Sequence, residues 1–281
     1  MQITSGGGGR LSLKSSRNII KRHTAKSSGK PASIKWGSGE IGGPRHDYRE
    51  SLLLRLVRKK LQEGNVVLDA GCGSGSLLFK VSEYGCSVYG IEQAMEYVEY
   101  LARKVKTSGS SNIKQIKYGS VMAIPFPDNT FNMVVSGDVL EHVKDDDKAV
   151  QEFYRVLKQG GICAVTVPAI PSLWDFSDEW AGHLRRYTRE GIVTLFEKNG
   201  FVVEDVRFWG FPVVLLYHRF VYLPYVRKKI SGGVRSDTER PPDAGKHKFL
   251  SWALGTIFRV DSCFRWAPYG IGLTLMARKQ G

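Results

Sequence analysis

Acidic residues are absent from the first 39 positions of this chain, which hold eight lysines and arginines among many serines and glycines. Such a segment buries too little apolar surface to offset the entropy of ordering, so residues 1–40 are predicted to form a disordered basic tail. Its Ser-rich, acid-free character also fits an organelle transit peptide, and that alternative stays open. It has no long apolar run, which argues against a secretory signal.

Cysteine is scarce, with four scattered residues: Cys72, Cys86, Cys163 and Cys263. None of them are paired at the spacing of a metal-binding or redox motif, so no metal site is predicted. Free thiols suit a reducing compartment. A cytoplasmic location is therefore expected, and peripheral membrane contact or organelle targeting by the basic tail stays open.

Positive charge is in excess, with 41 Lys and Arg against 27 Asp and Glu and a net charge of +14. The excess favours polyanionic surroundings such as anionic lipid, nucleic acid or an acidic substrate. The alternative is a basic tail and a solvated basic face without a dedicated anion site. No nucleic-acid recognition motif accompanies the charge, so nucleic acid is not expected as a partner.

Strands and helices alternate through the first part of the chain. Short apolar runs predict strands at 66–70, 86–91, 113–118, 133–136 and 162–167. Helices are predicted at 48–62, 76–84, 94–106 and 146–158, the last of them stopped by Gly160 and Gly161. This alternation predicts a parallel, doubly wound sheet.

The pattern changes after Pro168. Residues 169–186 are predicted to form a loop, followed by a helix that Thr188 caps and that runs to about Asn199. Further strands are predicted at 201–208 and 272–278. The stretch 210–270 between them is too long for a hairpin loop, so residues 41–281 are predicted to form one domain with a helical insertion, its helices at 213–226 and 249–264.

A glycine-rich turn joins the first strand to the next helix: Asp69-Ala70-Gly71-Cys72-Gly73-Ser74-Gly75. Glycines at alternate positions let the backbone turn sharply and approach a ligand closely. Glu92 ends the second strand, where a carboxylate can accept hydrogen bonds from both ribose hydroxyls of an adenosine. A dinucleotide site is the rival interpretation, but its third glycine would come one position later, and Asp69 would repel a pyrophosphate. Asp69 suits a ligand with an ammonium and a sulfonium group instead.

Residues 68–167 resemble the class I S-adenosylmethionine-dependent methyltransferases, in particular their small-molecule, type 11-like subgroup. Besides the glycine turn, the matching segments are Pro125-Phe126-Pro127-Asp128-Asn129-Thr130-Phe131, Val139-Leu140-Glu141-His142-Val143 and Glu152-Phe153-Tyr154-Arg155-Val156-Leu157-Lys158-Gln159-Gly160-Gly161. The resemblance implies a Rossmann-like, mostly parallel, seven-stranded sheet with helices on both faces, and S-adenosylmethionine as cofactor.

The resemblance also implies a set of cofactor-binding residues. The methionine portion is expected against Asp69, Gly71, Cys72, Gly73 and Gly75, and the ribose against Glu92. In the family, an Asp after the third strand usually receives the adenine amino group, but this chain has Ser120 and Val121 there. A serine hydroxyl can still accept a hydrogen bond, though without charge assistance. The remaining candidates are Gln93 and Ser136, with Tyr48 and Arg49 at the start of the first helix for the methionine carboxylate. The alternative for Tyr48 and Arg49 is a solvated helix start.

Catalytic candidates are expected where the fourth and fifth strands end, because ligands of open α/β sheets bind at the carboxyl edge. Asp138, Glu141 and His142 follow the fourth strand, and the alternative for Glu141 and His142 is helix-start packing and capping. After the fifth strand, Gly182-His183-Leu184-Arg185-Arg186-Tyr187-Thr188 resembles a stretch found in many members of the subgroup. His183 is predicted to act as general base in a substrate lid. The compatible alternative is that Arg185 and Arg186 pair with Asp178 and Glu179 to fix the loop.

The insertion begins with the apolar, aromatic stretch 208–226, followed by Arg227-Lys228-Lys229. Two prolines and His218-Arg219 interrupt the stretch, which makes it a poor membrane span. It is predicted either to cap a substrate pocket or to lie on anionic lipid. The predicted function is methyl transfer to a small-molecule or a lipid- or saccharide-linked acceptor. The alternative is a non-catalytic adenosylmethionine-binding scaffold at a membrane or RNA.

Overall fold

The computed structural model describes residues 43–231 and 248–280. Seven strands form one sheet: β1 (Val66–Ala70), β2 (Ser87–Glu92), β3 (Ile113–Tyr118), β4 (Phe131–Gly137), β5 (Leu157–Pro168), β6 (Phe201–Trp209) and β7 (Gly272–Lys279). Six helices accompany the first six strands: α1 (Pro44–Val57), α2 (Ser76–Ser82), α3 (Met95–Ser108), α4 (Asp146–Val156), α5 (Phe176–Ala181) and α6 (Arg189–Glu197). The predicted tail 1–40 lies outside the described residues.

The strand order is β3-β2-β1-β4-β5-β7-β6. The strands β1 to β5 pair in parallel, whereas β7 is inserted antiparallel between β5 and β6. The order reverses between β1 and β4, and in open α/β sheets such a switch point forms a crevice at the carboxyl ends of the strands. This confirms the predicted doubly wound, mostly parallel, seven-stranded sheet.

Two hydrophobic clusters lie on opposite faces of the sheet, because successive strand residues point to opposite sides. Leu68 and Val134 pack in one cluster with residues of α4 and α6. Val67 and Val135, their neighbours in the chain, pack in the other with residues of α1, α2 and α3. Helices therefore cover both faces, and the carboxyl edge of the sheet is left for ligands.

The predicted helix 146–158 is too long at its end. It stops at Val156, and β5 begins at Leu157 instead of residue 162. Leu157 pairs with Phe131 of β4, and the register shift in this ladder falls before Met133 and Ile162. Gly160 takes a positive φ of 71°. The glycines thus allow an irregularity within the strand, where the sequence interpretation placed a helix end.

The predicted loop 169–186 contains the helix α5, so the loop prediction is wrong for that part. Asp175 caps α5, and its backbone N–H in turn donates to the carboxylate of Asp178. Gly182 ends the helix in the left-handed conformation, with a φ of 75°. His183 directly follows Gly182, so the end of α5 determines the position of His183.

The described parts of the insertion, up to residue 231 and from residue 248, contain helices, as predicted. Its first part comprises α7 (Val213–Tyr217), a π-helical turn (His218–Tyr222) and α8 (Leu223–Ser231), and its last part comprises α9 (Lys248–Phe258) and a 3-10 turn (Arg259–Phe264). Asp261 joins the two parts by accepting hydrogen bonds from the backbone N–H groups of Val213 and Val214. In the described ranges, no helix combines the length and the apolar character needed to cross a membrane.

Candidate active site

The glycine turn packs tightly on its neighbours at two positions. Gly71 and Gly75 have φ values of 79° and 80°, which L side chains rarely adopt. A Cβ atom at Gly71 would lie 2.5 Å from Val139 Cγ2, and one at Gly75 would lie 2.4 Å from Leu101 Cδ2. The positive φ values thus favour glycine at both positions, and the close contact at Gly71 places the turn directly against the segment that follows β4.

Gly73 differs from both, because no described atom lies within 4 Å of its Cβ position. At the start of the same turn, Asp69 Oδ2 is buried and has no hydrogen-bond partner among the described residues. Burial and the nearby carboxylates of Glu50 and Glu92 raise the pKa of Asp69 well above its usual range. A cationic group bound here would stabilise the negative charge of the Asp69 carboxylate. The ammonium and sulfonium groups of S-adenosylmethionine are such cations.

Glu92, at the end of β2, is hydrogen-bonded to the glycine turn. Its Oε2 accepts a hydrogen bond from Gly73 N–H and its Oε1 accepts one from Ala94 N–H, both at 2.9 Å. Each carboxylate oxygen has a further lone pair, so both remain able to accept from ribose hydroxyls. The position of Glu92 is thus compatible with its predicted role.

The other cofactor candidates have different surroundings. Ser136 Oγ is buried and donates to Ala70 O at 2.8 Å, which ties β4 to β1. Ser120 Oγ accepts from Met122 N–H at 3.2 Å, Val121 is buried, and Gln93 is exposed. The Cys72 side chain is buried against Gly90. Their roles in cofactor binding stay predictions.

Tyr48 and Arg49 point to different environments. Tyr48 is buried and packs edge-on against Trp209 and Phe258, in a cluster between α1 and the insertion. Arg49 donates to Asp138 Oδ2 through one nitrogen and contacts His46 Nδ1 at 3.0 Å through another. The surroundings of Tyr48 are those of a packing residue, whereas Arg49 reaches the segment after β4. A contact of either side chain with the cofactor stays a prediction.

Asp138 follows β4 in a left-handed conformation, with a φ of 53°. Its Oδ1 accepts from Thr166 Oγ1 at 2.9 Å, and its Oδ2 accepts from Arg49. Burial alone would raise its pKa, but Arg49 and Thr166 outweigh burial and hold the pKa below the usual range. Asp138 is therefore a charged anchor for Arg49 and a weak candidate for a general base.

The two predicted histidines lie together. The rings of His142 and His183 meet edge to face with their centroids 4.8 Å apart. Both approach the buried carboxylate of Glu141: His142 Nε2 lies 4.0 Å and His183 Nε2 lies 3.9 Å from Glu141 Oε1. The sequence did not indicate this three-residue cluster, because His183 is far from the other two residues in the chain.

A buried ion pair holds His183 in place. His183 Nδ1 contacts Asp178 Oδ1 at 2.8 Å, and Arg186 donates to both oxygens of the same carboxylate. The Arg186–Asp178 pair confirms part of the pairing predicted for the loop, in which Arg185 and Arg186 would pair with Asp178 and Glu179. Arg185 pairs with Asp146 instead, at 2.9 Å.

Sequence reasoning also missed a charged group beneath the glycine turn. Glu50 of α1 accepts from Ser76 Oγ at 2.6 Å and from Lys80 Nζ at 2.7 Å, and His46 Nε2 lies 2.9 Å from its other oxygen. The spacing of His46 and Glu50, one helical turn apart, was the available signal. The network fixes α1 on the first turn of α2.

A glycine turn at the switch point of a 3-2-1-4-5-7-6 sheet, with a buried acid near the end of β1 and a second acid at the end of β2, defines a class I S-adenosylmethionine-binding fold. Comparison with known proteins agrees. A family model described as a methyltransferase domain matches residues 68–165. The uncharacterized methyltransferase YcgJ of Bacillus subtilis (strain 168) is 28% identical over 176 residues, which cover 58% of this chain and 68% of that protein.

Two further proteins extend the comparison. The demethylmenaquinone methyltransferase of Geobacillus stearothermophilus is 34% identical over 124 residues, which cover 43% of this chain and 53% of that protein. Phosphoethanolamine N-methyltransferase 2 of Haemonchus contortus, solved in complex with S-adenosyl-L-methionine, has a TM-score of 0.56 at 17% identity. That alignment covers 91% of this chain and 62% of the solved one, and at this identity it shows the fold alone.

The resemblance to the class I S-adenosylmethionine-dependent methyltransferases is confirmed for residues 68–165, and the cofactor of this domain family is S-adenosylmethionine. The chain spans 68% of the length of the first relative named above and about half (53%) of the length of the second. The predicted class of enzyme and its cofactor are thereby confirmed.

Proposed function

We propose that this chain transfers a methyl group from S-adenosylmethionine to a small acceptor with a largely apolar body. One observation carries the proposal: the glycine turn, which has open space at Gly73 and follows the buried Asp69, and the Glu141–His142–His183 cluster flank the same segment after β4. Gly71 touches Val139 of this segment, and Glu141 and His142 follow two and three residues later. A methyl donor on the glycine turn and an acceptor beside the histidines would therefore be neighbours.

The chain's own groups would bind and align the reactants. Asp69 and the turn hold the cationic methionine portion, and Glu92 holds the ribose. S-adenosylmethionine supplies an already activated methyl group, so the protein has to align the acceptor with it and handle one proton. The Arg49–Asp138 pair fixes α1 over the carboxyl edge.

His183 is the group that we propose to receive the proton. Its Nδ1 faces the Asp178 carboxylate, which can only accept, so Nδ1 carries a hydrogen and Nε2 of the neutral ring has a free lone pair. Asp178 would stabilise the imidazolium that forms. His142 is the second candidate, since its Nδ1 faces Gly182 O at 3.3 Å in the same way.

The insertion supports an apolar acceptor. Tyr48, Val214, Phe258 and Ile271 form a cluster between α1, the insertion and the start of β7. The relatives named above include a demethylmenaquinone methyltransferase, whose name indicates demethylmenaquinone as its acceptor. An aromatic, lipid-soluble acceptor fits both observations.

We further propose that the insertion contacts an anionic membrane from which such an acceptor is drawn. Exposed large apolar side chains concentrate in the insertion, with Phe220 and Trp266 71% and 78% exposed. Arg227 and Lys228 follow in α8. Exposed aromatic residues beside cations favour the interface of anionic lipid.

Incubation with methyl-labelled S-adenosylmethionine and fractionated cell extract tests the main proposal. We expect label in a lipid-soluble product, and we expect none after heat inactivation of the protein. If the cofactor binds and no fraction accepts a methyl group, the non-catalytic scaffold is the better interpretation. Label in a water-soluble product alone would show that the acceptor class is wrong.

A further inference from the structure

Three potential metal ligands converge at the carboxyl edge of the sheet. One ligand atom each from Glu141, His142 and His183 can be chosen so that all three lie within 4.8 Å of one another. Glu141 and His142 lie in the 3-10 turn Leu140–His142 after β4, and His183 follows α5. The backbone fixes the two segments together, because Leu184 N–H donates to Glu141 O at 2.8 Å.

Both imidazoles are oriented as metal ligands require. His183 Nδ1 faces the Asp178 carboxylate and His142 Nδ1 faces the Gly182 carbonyl. Because both partners are acceptors, each Nδ1 carries the hydrogen and each Nε2 lone pair is free to bind a cation. Hydrogen bonds from ligand imidazoles to a carboxylate or backbone carbonyl are the usual outer shell of metal sites. The Arg186–Asp178 pair fixes this shell on the side of His183.

Glu141 supplies the independent observation. Its side chain is fully buried, and neither carboxylate oxygen has a hydrogen-bond partner among the described residues. Burial of an unpaired carboxylate is costly, whereas a buried carboxylate that coordinates a metal is compensated. His142 is 34% exposed, which leaves a path from solvent to the cluster.

We propose that Glu141, His142 and His183 bind a divalent cation of the zinc type. Two imidazoles and one carboxylate match Zn²⁺ and similar borderline ions, whereas Mg²⁺ and Ca²⁺ prefer oxygen ligands alone. Bond lengths of about 2.0–2.2 Å require ligand atoms roughly 3–3.5 Å apart. The two separations from Glu141 Oε1 are 3.9 and 4.0 Å, and the three ligand atoms lie within 4.8 Å of one another, so ion binding requires the side chains to move closer together.

Three protein ligands leave a coordination position for water or for an acceptor oxygen. An ion held there would occupy His183 Nε2 and lower the pKa of a bound acceptor hydroxyl, whose proton would then pass to solvent water instead of His183. That consequence rests on the proposed function, whereas metal binding by itself does not.

Equilibrium dialysis of the untagged full chain, stripped with a chelator and then exposed to Zn²⁺, tests the site. The variants are Glu141→Gln and His142→Ala, with His46→Ala as control because His46 is equally exposed and lies outside the cluster. We expect wild type and His46→Ala to hold a tightly bound ion that the two cluster variants bind at least about tenfold more weakly. Zn²⁺ should also raise the melting temperature of wild type and not of the cluster variants.

Equal Zn²⁺ binding by all four proteins would overturn the proposal, as would a wild type that binds none. Binding of S-adenosylhomocysteine by the same samples shows that the variants are folded. Cofactor binding and methyl transfer without Zn²⁺ binding would refute the metal site alone. Zn²⁺ binding without methyl transfer to any acceptor would refute the proposed function alone.

Discussion

His183 Nδ1 lies 2.8 Å from Asp178 Oδ1, and the same carboxylate receives the guanidinium of Arg186. Burial alone would raise the pKa of Asp178, but the hydrogen bonds from His183 and Arg186 outweigh it and keep the pKa below its usual range. The carboxylate therefore stays charged and holds the imidazole in one orientation. The loop after β5 thus presents His183 Nε2 to the carboxyl edge of the sheet.

Replacing His183 should slow methyl transfer. We expect His183→Ala to lower turnover roughly 100- to 10,000-fold, the usual contribution of a positioned base, while cofactor affinity stays near that of wild type. Single-turnover rates and calorimetric titration with S-adenosylhomocysteine measure the two quantities. If His183→Ala and His142→Ala both keep full turnover, the histidines do not take part. A parallel fall in cofactor affinity would place His183 in the cofactor shell or in the fold.

Removing the buried partner of Asp178 should destabilise the protein. Arg186 and Asp178 have side chains only 4% and 1% exposed, so Arg186→Ala leaves an uncompensated buried charge. We expect a loss of about 3–5 kcal/mol in the free energy of unfolding, measured by urea denaturation. The control is Arg207→Ala, which breaks the more exposed Arg207–Asp205 pair and should cost less than about 1 kcal/mol. Equal losses in the two variants would contradict the prediction.

A side chain at Gly73 should block the cofactor, and the positive φ of 48° adds a backbone strain that the control variant shares. The Cβ position of Gly73 faces open space, so Gly73→Val should abolish the rise in melting temperature that S-adenosylmethionine causes in wild type. NAD should cause no rise in either protein. Gly109→Val is the matched control, since Gly109 also has a positive φ and an open Cβ position but ends α3. Retained cofactor binding in Gly73→Val would place the ligand elsewhere.

Stability should fall in acid partly through Glu50. Burial alone would raise the pKa of Glu50, but His46 and Lys80 outweigh it and hold the pKa well below its usual range. A lowered folded-state pKa gives stability that is fully present above the unfolded pKa of about 4.3 and is lost as the pH falls toward the folded pKa. Glu50→Gln should therefore lower stability at pH 7 and flatten its decline below about pH 5. Urea midpoints across that range measure this, and an unchanged pH dependence in the variant would refute it.

The insertion should bind anionic vesicles through exposed aromatic residues. We expect the Phe220→Ser, Trp266→Ser double variant to cosediment severalfold less than wild type with vesicles containing anionic lipid, because about 25 cal/mol is lost per Å² of apolar surface no longer buried. Tyr84→Ser, an exposed aromatic residue outside the insertion, is the control. If the double variant binds vesicles as well as wild type does, positive charge alone attracts the protein to the vesicles.

Local signals explain what could be predicted. The bounds of β1 and β3 agree with the sequence interpretation, and the glycine turn after β1 requires positive φ values at Gly71, Gly73 and Gly75. The prediction failed where residues far away in the chain determine the local structure. The early start of β5 depends on the pairing of Leu157 with Phe131, which no local pattern shows.

The sequence by itself determined the order of the elements, the chemistry of the glycine turn and the resemblance to methyltransferases, because each depends on residues close together in the chain. Only the tertiary structure placed Arg49 against Asp138 and His183 beside Glu141 and His142. It also left Glu141 buried without a hydrogen-bond partner among the described residues. These relationships depend on which strand ends meet at one edge of the sheet, and packing of remote segments sets that geometry.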